Sequence, residues 1–120
     1  MRKTCLALST LFCYFLTTTC QAEPATRRIP RLANDKVSVW ETIIYPERNQ
    51  TLKLHRHERD RILVALSGGI LKVTTDRNQS HELRLKKDMV YYLPRDVPGE
   101  LHSDENISGH PVRVVVIELK

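Results

Sequence analysis

The sequence predicts an all-β domain, an antiparallel sandwich or barrel, on three observations. Runs rich in Val, Ile, Leu, Thr and aromatic residues recur at roughly ten-residue spacing, each closed by Gly, Pro, Asn, Asp or Ser turn signals. No stretch of useful length places its apolar residues at helical spacing. The chain has 120 residues, 41% of them hydrophobic, which suits one small domain with a modest core.

Residues 1–22 are predicted to be a Sec-type signal peptide outside that domain. Arg2 and Lys3 form a positive start, residues 4–19 are uncharged with an apolar centre, and Cys20-Gln21-Ala22 offers small residues at a cleavage site before Glu23. The apolar run is too short and Thr-rich for a membrane span. A lipoprotein signal with Cys20 as the lipidated residue is the rival reading, and Thr17-Thr18-Thr19 lacks the aliphatic residue it calls for. All three cysteines, Cys5, Cys13 and Cys20, fall in this segment. The mature chain, expected in the periplasm or secreted, therefore has neither a disulfide nor a thiolate, and any metal site must be built from His and carboxylates. The formal charge of +5 loses only the contributions of Arg2 and Lys3 on cleavage. What remains is interleaved with acids and lacks a basic block with aromatics, so nucleic acid is not an expected partner.

Residues 23–34 carry Pro24, Pro30 and three arginines with little apolar content, and read as an extended N-terminal arm: laid along an edge strand or a partner subunit, or mobile. The barrel domain is expected over 35–120. Val37, Val39, Glu41, Ile43 and Tyr45 alternate with Ser38, Trp40, Thr42 and Ile44 as a first strand. After a turn at 46–49, residues 51–57 form a second, with Leu52 and Leu54 on one face and Lys53, His55 and His57 on the other. A charged corner at 58–60 leads to a dense apolar strand at 61–66, and Ser67-Gly68-Gly69 turns the chain. Strands at 70–75, 81–85 and 89–93 follow. A two-proline loop at 94–99 precedes a strand beginning at Glu100, and residues 112–119 close the chain. Ile62-Leu63-Val64-Ala65-Leu66 and Val114-Val115-Val116-Ile117 are apolar on both faces, so burial on two sides, and hence a homodimer, is expected.

Two short histidine clusters carry the functional expectation. His55 and His57 share strand parity, and a third imidazole, His102, would complete a facial set able to grip a divalent metal. Around them, the sequence resembles the cupin superfamily, specifically its small single-domain members. The first cupin motif has His-x-His, a Glu and a Gly; here His55-Arg56-His57 is followed by three residues, Arg61, six residues and Gly68. The second motif runs Gly, five residues, Pro-x-Gly-x-x-His, three residues, Asn. Here Asp88 stands for its first Gly, five residues lead to Pro94, and three residues separate His102 from Asn106, with seven rather than four residues between Pro94 and His102. The ending from Gly109 to Lys120 also resembles the last strand of small cupins, so the resemblance runs from about residue 34 to the end.

The resemblance implies a conical jelly-roll barrel with a metal held by three histidines and a glutamate. Carried over residue by residue, His55, His57 and His102 are the metal ligands, and Arg61 occupies the glutamate position. Arginine cannot coordinate and repels a cation at short range, so the motif is degenerate. Three readings follow: Fe, Mn, Ni, Cu or Zn on the histidines, serving an enzyme that acts on a small organic molecule; a non-catalytic binding module that captures a metal or, as a metal-free cationic pocket, a small anion on Arg61; or a degenerate scaffold serving dimerisation. In the first, Glu100 and Glu58 are the candidates to supply an oxygen, and Arg61 and Glu100 are the candidate substrate-binding residues. His81 and His110 read as surface residues, Trp40, Tyr91 and Tyr92 as core or interface packing with pocket lining second, and Asn106 as a turn-fixing side chain.

Overall fold

A computed structural model describes residues 24–120; the predicted signal peptide, with Cys20, lies outside the described residues. Nine strands follow in order: β1 (Arg27–Ala33), β2 (Val37–Ile44), β3 (Leu52–His55), β4 (Arg61–Ala65), β5 (Gly69–Thr75), β6 (Ser80–Leu85), β7 (Val90–Leu93), β8 (His102–Asn106) and β9 (Val112–Leu119). They build two antiparallel sheets, ordered β1-β2-β9-β4-β7 and β3-β8-β5-β6. This is the double-stranded β-helix arrangement of a jelly roll. Residues 27–33 of the arm form edge strand β1 against β2, with a register shift between Pro30 and Leu32.

The alternation in the sequence explains the central pair. β2 and β9 pair in unbroken register from Val37 opposite Leu119 to Ile44 opposite Val112. One face of this pair carries Ile44, Val112, Val114 and Val116, which join Leu63, Ala65, Leu71 and Leu85 in the core between the sheets. Each such Val, Leu or Ile side chain taken out of water contributes about 1.5–3 kcal/mol. The opposite face holds Glu41, clasped by Arg31 of β1 at 2.5 Å and Arg113 of β9 at 2.6 Å. Gly69 of the turn also has a packing reason. A Cβ on Gly69 would collide with Val112 Cγ2 and lie 2.9 Å from Ser108 Oγ.

Two local expectations need correction. The second strand ends at His55, and a register shift between Leu52 and His55 interrupts its pairing with β8. A bulge adds a residue and breaks the period-two rule. Leu52 therefore packs on the core while Leu54 is 56% exposed, and His57 lies beyond the strand. The strand expected to begin at Glu100 begins at His102 instead. Glu100 sits in a turn, its N–H donating to the Val97 carbonyl at 3.1 Å.

Candidate metal centre

The last residue of β3 and the first of β8 face one another in the ladder, His55 opposite His102. Their rings lie 4.4 Å apart between centroids. His57 reaches the same place from the loop after β3, with centroids 5.0 Å from His55 and 5.6 Å from His102. Its segment is fixed by Asp96: the His57 N–H donates to Asp96 Oδ2 at 2.6 Å, and the Asp96 N–H to the His57 carbonyl at 2.9 Å. One ligand nitrogen from each of the three histidines lies within 4.8 Å of the others.

The hydrogen bonds decide which nitrogens are free. His55 Nδ1 is 2.7 Å from the Lys53 carbonyl, an acceptor, so this nitrogen carries the proton. Its Nε2 is left with a lone pair, buried, and without a hydrogen-bond partner. Burial pushes this imidazole below its usual pKa, more than the Lys53 carbonyl and Asp104 raise it, and so favours the neutral, ligating form. His102 Nδ1 is directed at Asp96 Oδ2, 3.3 Å away. An outer carboxylate in that position orients a metal-binding imidazole.

Arg61, the first residue of β4, is 6% exposed and lies beside the histidines through the same Asp96. Its Nη2 donates to Asp96 Oδ1 at 3.3 Å and to the Pro94 carbonyl at 3.4 Å, while its Nε has no partner. Burial pushes the guanidinium pKa down and Asp96 opposes that, yet arginine stays charged at any working pH. Asp96 is thus the hinge of the site, touching His57, His102 and Arg61. A cavity of about 330 Å³ opens onto this cluster, its wall including Ile44, Leu63 and Val114, with His81 and Glu100 also lining it. Arg28 of β1 reaches into the lining from the arm, its guanidinium 5.5 Å from the centroid of the Trp40 ring. Trp40 in turn lies parallel to His57, centroids 6.3 Å apart.

Sequence reasoning brought His55, His57, His102 and Arg61 to one place. It missed Asp96, Asp104 and Arg28, and for Trp40 it put packing first and pocket lining second; Trp40 does line the cavity. Asp104 had a visible signal: it follows His102 by two residues and shares its face. Arg28 had none, because a charged arm reads as surface. Glu100 reaches the cavity wall from a turn, without strand parity to His102. Glu58 points away, pairing with Arg56 at 2.5 Å with its side chain 69% exposed.

No protein-family profile and no curated protein matches the chain. Solved structures do. A cupin-domain protein from Bordetella pertussis Tohama I superposes with a TM-score of 0.69 at 26% identity, over 83% of this chain and 98% of that one. A cupin-family protein with a double-stranded β-helix fold from Methanocaldococcus jannaschii gives a TM-score of 0.59 at 12% identity, over 94% and 92% of the two chains. A cupin superfamily protein from Desulfitobacterium hafniense gives 0.56 at 15%, over 82% and 81%. The chain belongs to the cupin superfamily.

As a cupin it keeps the three histidines and departs at the acid, where Arg61 stands. The donor set still fits a divalent metal. Three neutral-capable imidazoles converge, one carries a buried lone pair with nothing bound to it, and another is oriented by an outer carboxylate.

Proposed function

We propose that this cupin is exported, holds a divalent transition metal on His55, His57 and His102, and acts on a small anionic organic molecule bound in the adjoining cavity. The observation that carries the metal is the unpartnered, buried Nε2 of His55 within a three-imidazole cluster. Such an orphan costs roughly 1–3 kcal/mol unless something occupies it. The bound metal would supply Lewis acidity and open positions for water or substrate. Fe, Mn, Ni, Cu and Zn all suit imidazole ligands.

The anion is supported by two other orphans. Arg61 Nε and Trp40 Nε1 are buried donors without acceptors, and both residues line the cavity. A ligand oxygen would satisfy them, and a guanidinium is the group best shaped to orient a carboxylate. The apolar wall holds the rest of the molecule and excludes water.

Metal content of protein purified without a histidine tag tests the first half. Stoichiometric metal that vanishes in His55→Ala and His102→Ala, with the circular dichroism spectrum retained, is the expected result; metal-free wild-type protein that takes up none on dialysis would end this reading. For the second half, a thermal-shift panel of carboxylates is expected to stabilise the wild type and not Arg61→Ala. Stabilisation of both alike would remove Arg61 from the binding role. We also propose a homodimer, supported by Val90 and Tyr92 at 61% exposure each and by the half-buried Ile62, Val64, Val115 and Ile117. Sedimentation equilibrium at micromolar concentration should give twice the chain mass, and a monomer there rules it out.

A further inference from the structure

We propose that Asp104 is the oxygen ligand of this centre, taking on from β8 the role that residue 61 cannot fill; the inference rests on the metal reading above. Asp104 sits opposite Leu52 in the β3–β8 ladder and follows His102 by two residues, so both project from one face of β8. Its side chain is 14% exposed. The two carboxylate oxygens address two different rings: Oδ2 lies 3.5 Å from His55 Nε2, and Oδ1 lies 3.6 Å from His102 Nε2.

These are the nitrogens that remain free. His55 Nδ1 is committed to the Lys53 carbonyl and His102 Nδ1 is directed at Asp96. With the protons on Nδ1, each Nε2 presents a lone pair to a carboxylate oxygen that also presents lone pairs. Two acceptors facing each other in a largely buried space repel, and something positive between them removes the conflict. The spacing suits a metal ion. Bonds of about 2.0–2.2 Å put neighbouring ligand atoms of a tetrahedral ion roughly 3.4 Å apart. For His55 and His102, the observed 3.5 and 3.6 Å are within a small side-chain adjustment of that edge.

The other nearby acid is already committed. Asp96 accepts from the His57 N–H and from Arg61 Nη2 and faces His102 Nδ1, which makes it a positioning residue. Among the described residues, Asp104 has only the two imidazoles within ion-pairing distance. It also brings a negative charge to the same cavity that Arg61 lines. In water-poor surroundings that charge offsets the repulsion between Arg61 and a divalent ion.

The test is Co(II) titration of metal-stripped full-length protein, read by visible absorption. The wild type should develop a ligand-field band that saturates at one ion per chain. Asp104→Asn, nearly isosteric, should bind at least 10–100-fold more weakly, a loss no smaller than that of an outer-shell partner, and with a displaced band; Asp104→Ala should do the same if it folds. His55→Ala should abolish the band. If the wild type and Asp104→Asn bind within about twofold and give superimposable spectra while His55→Ala loses binding, the metal reading stands and Asp104 is not a ligand. If the wild type shows no band at any concentration, both fall together.

Discussion

Reversing the charge at Arg61, as Arg61→Glu, is expected to weaken the metal-free protein and tighten its hold on metal. The guanidinium is 8% exposed in its side chain and forms the buried partner of Asp96. Removing one member of such a pair costs about 3–5 kcal/mol, because the remaining charge is left in a poor solvent. Placing a second carboxylate there adds like-charge repulsion in the same poorly solvated space. For a domain of this size the melting temperature should fall by at least about 10 °C, taking roughly 4–8 °C per kcal/mol. Divalent metal reverses the sign. The acid now stands where cupins carry their oxygen ligand, the repelling cation is gone, and binding to the folded state alone raises stability as the logarithm of free metal over Kd. Scanning calorimetry with and without Mn(II) or Zn(II) reads both effects. A variant as stable as the wild type without metal, and no more responsive to it, would mean that Arg61 does not face the centre.

How much of this was visible beforehand follows from what each residue's neighbours decide. β2 and β9 were legible because their alternation of β-branched and polar residues is uninterrupted and their pairing has no bulge. The histidines were legible because their spacing repeats a known motif. The bulge in β3 was not, since an inserted residue leaves no mark in the residue types and silently moves Leu54 outward. β8 was harder still. His102-Ser103-Asp104-Glu105-Asn106 has the composition of a turn, yet it is a strand because β3 and β5 hydrogen-bond it on either side, with Thr75 opposite His102 and Leu71 opposite Asn106. Strand propensity is largely a report on neighbours, and here the neighbours override it. Asp104 was overlooked although the strand expected from Glu100 carried its signal: two residues after His102, it faces the histidines once residues 102–106 are extended. Arg28 enters the cavity because the arm pairs with β2, placing it opposite Thr42, and no local pattern announces that contact.

The second large effect is expected at Asn106, which the cupin resemblance places in the motif and the structure places outside the cavity lining. It is 2% exposed and ends β8. Its Nδ2 donates to the Ile44 and His110 carbonyls at 2.8 Å each, and its Oδ1 accepts from the Ser108 N–H at 2.8 Å. Ser108 Oγ in turn accepts from the Ile70 N–H at 2.7 Å, so one amide ties β8 to β2 across the sheets and, through Ser108, to β5. Ile44 is 1% exposed, and no water reaches its carbonyl to replace the lost donor. Asn106→Ala should therefore destabilise by about 3 kcal/mol or more, since each buried group left unpaired costs roughly 1–3 kcal/mol. Asn106→Asp should fare no better, because a carboxylate cannot donate to the two carbonyls and would face them with like partial charge. The consequence for function is indirect and measurable. β8 also carries His102 and Asp104, so loosening its far end should widen the metal set and weaken metal binding. The cavity wall, and with it carboxylate binding, should change little in variants still folded at low temperature. Urea unfolding curves with matched metal titrations would separate the two, and an Asn106→Ala protein as stable as the wild type would remove the amide from its structural role.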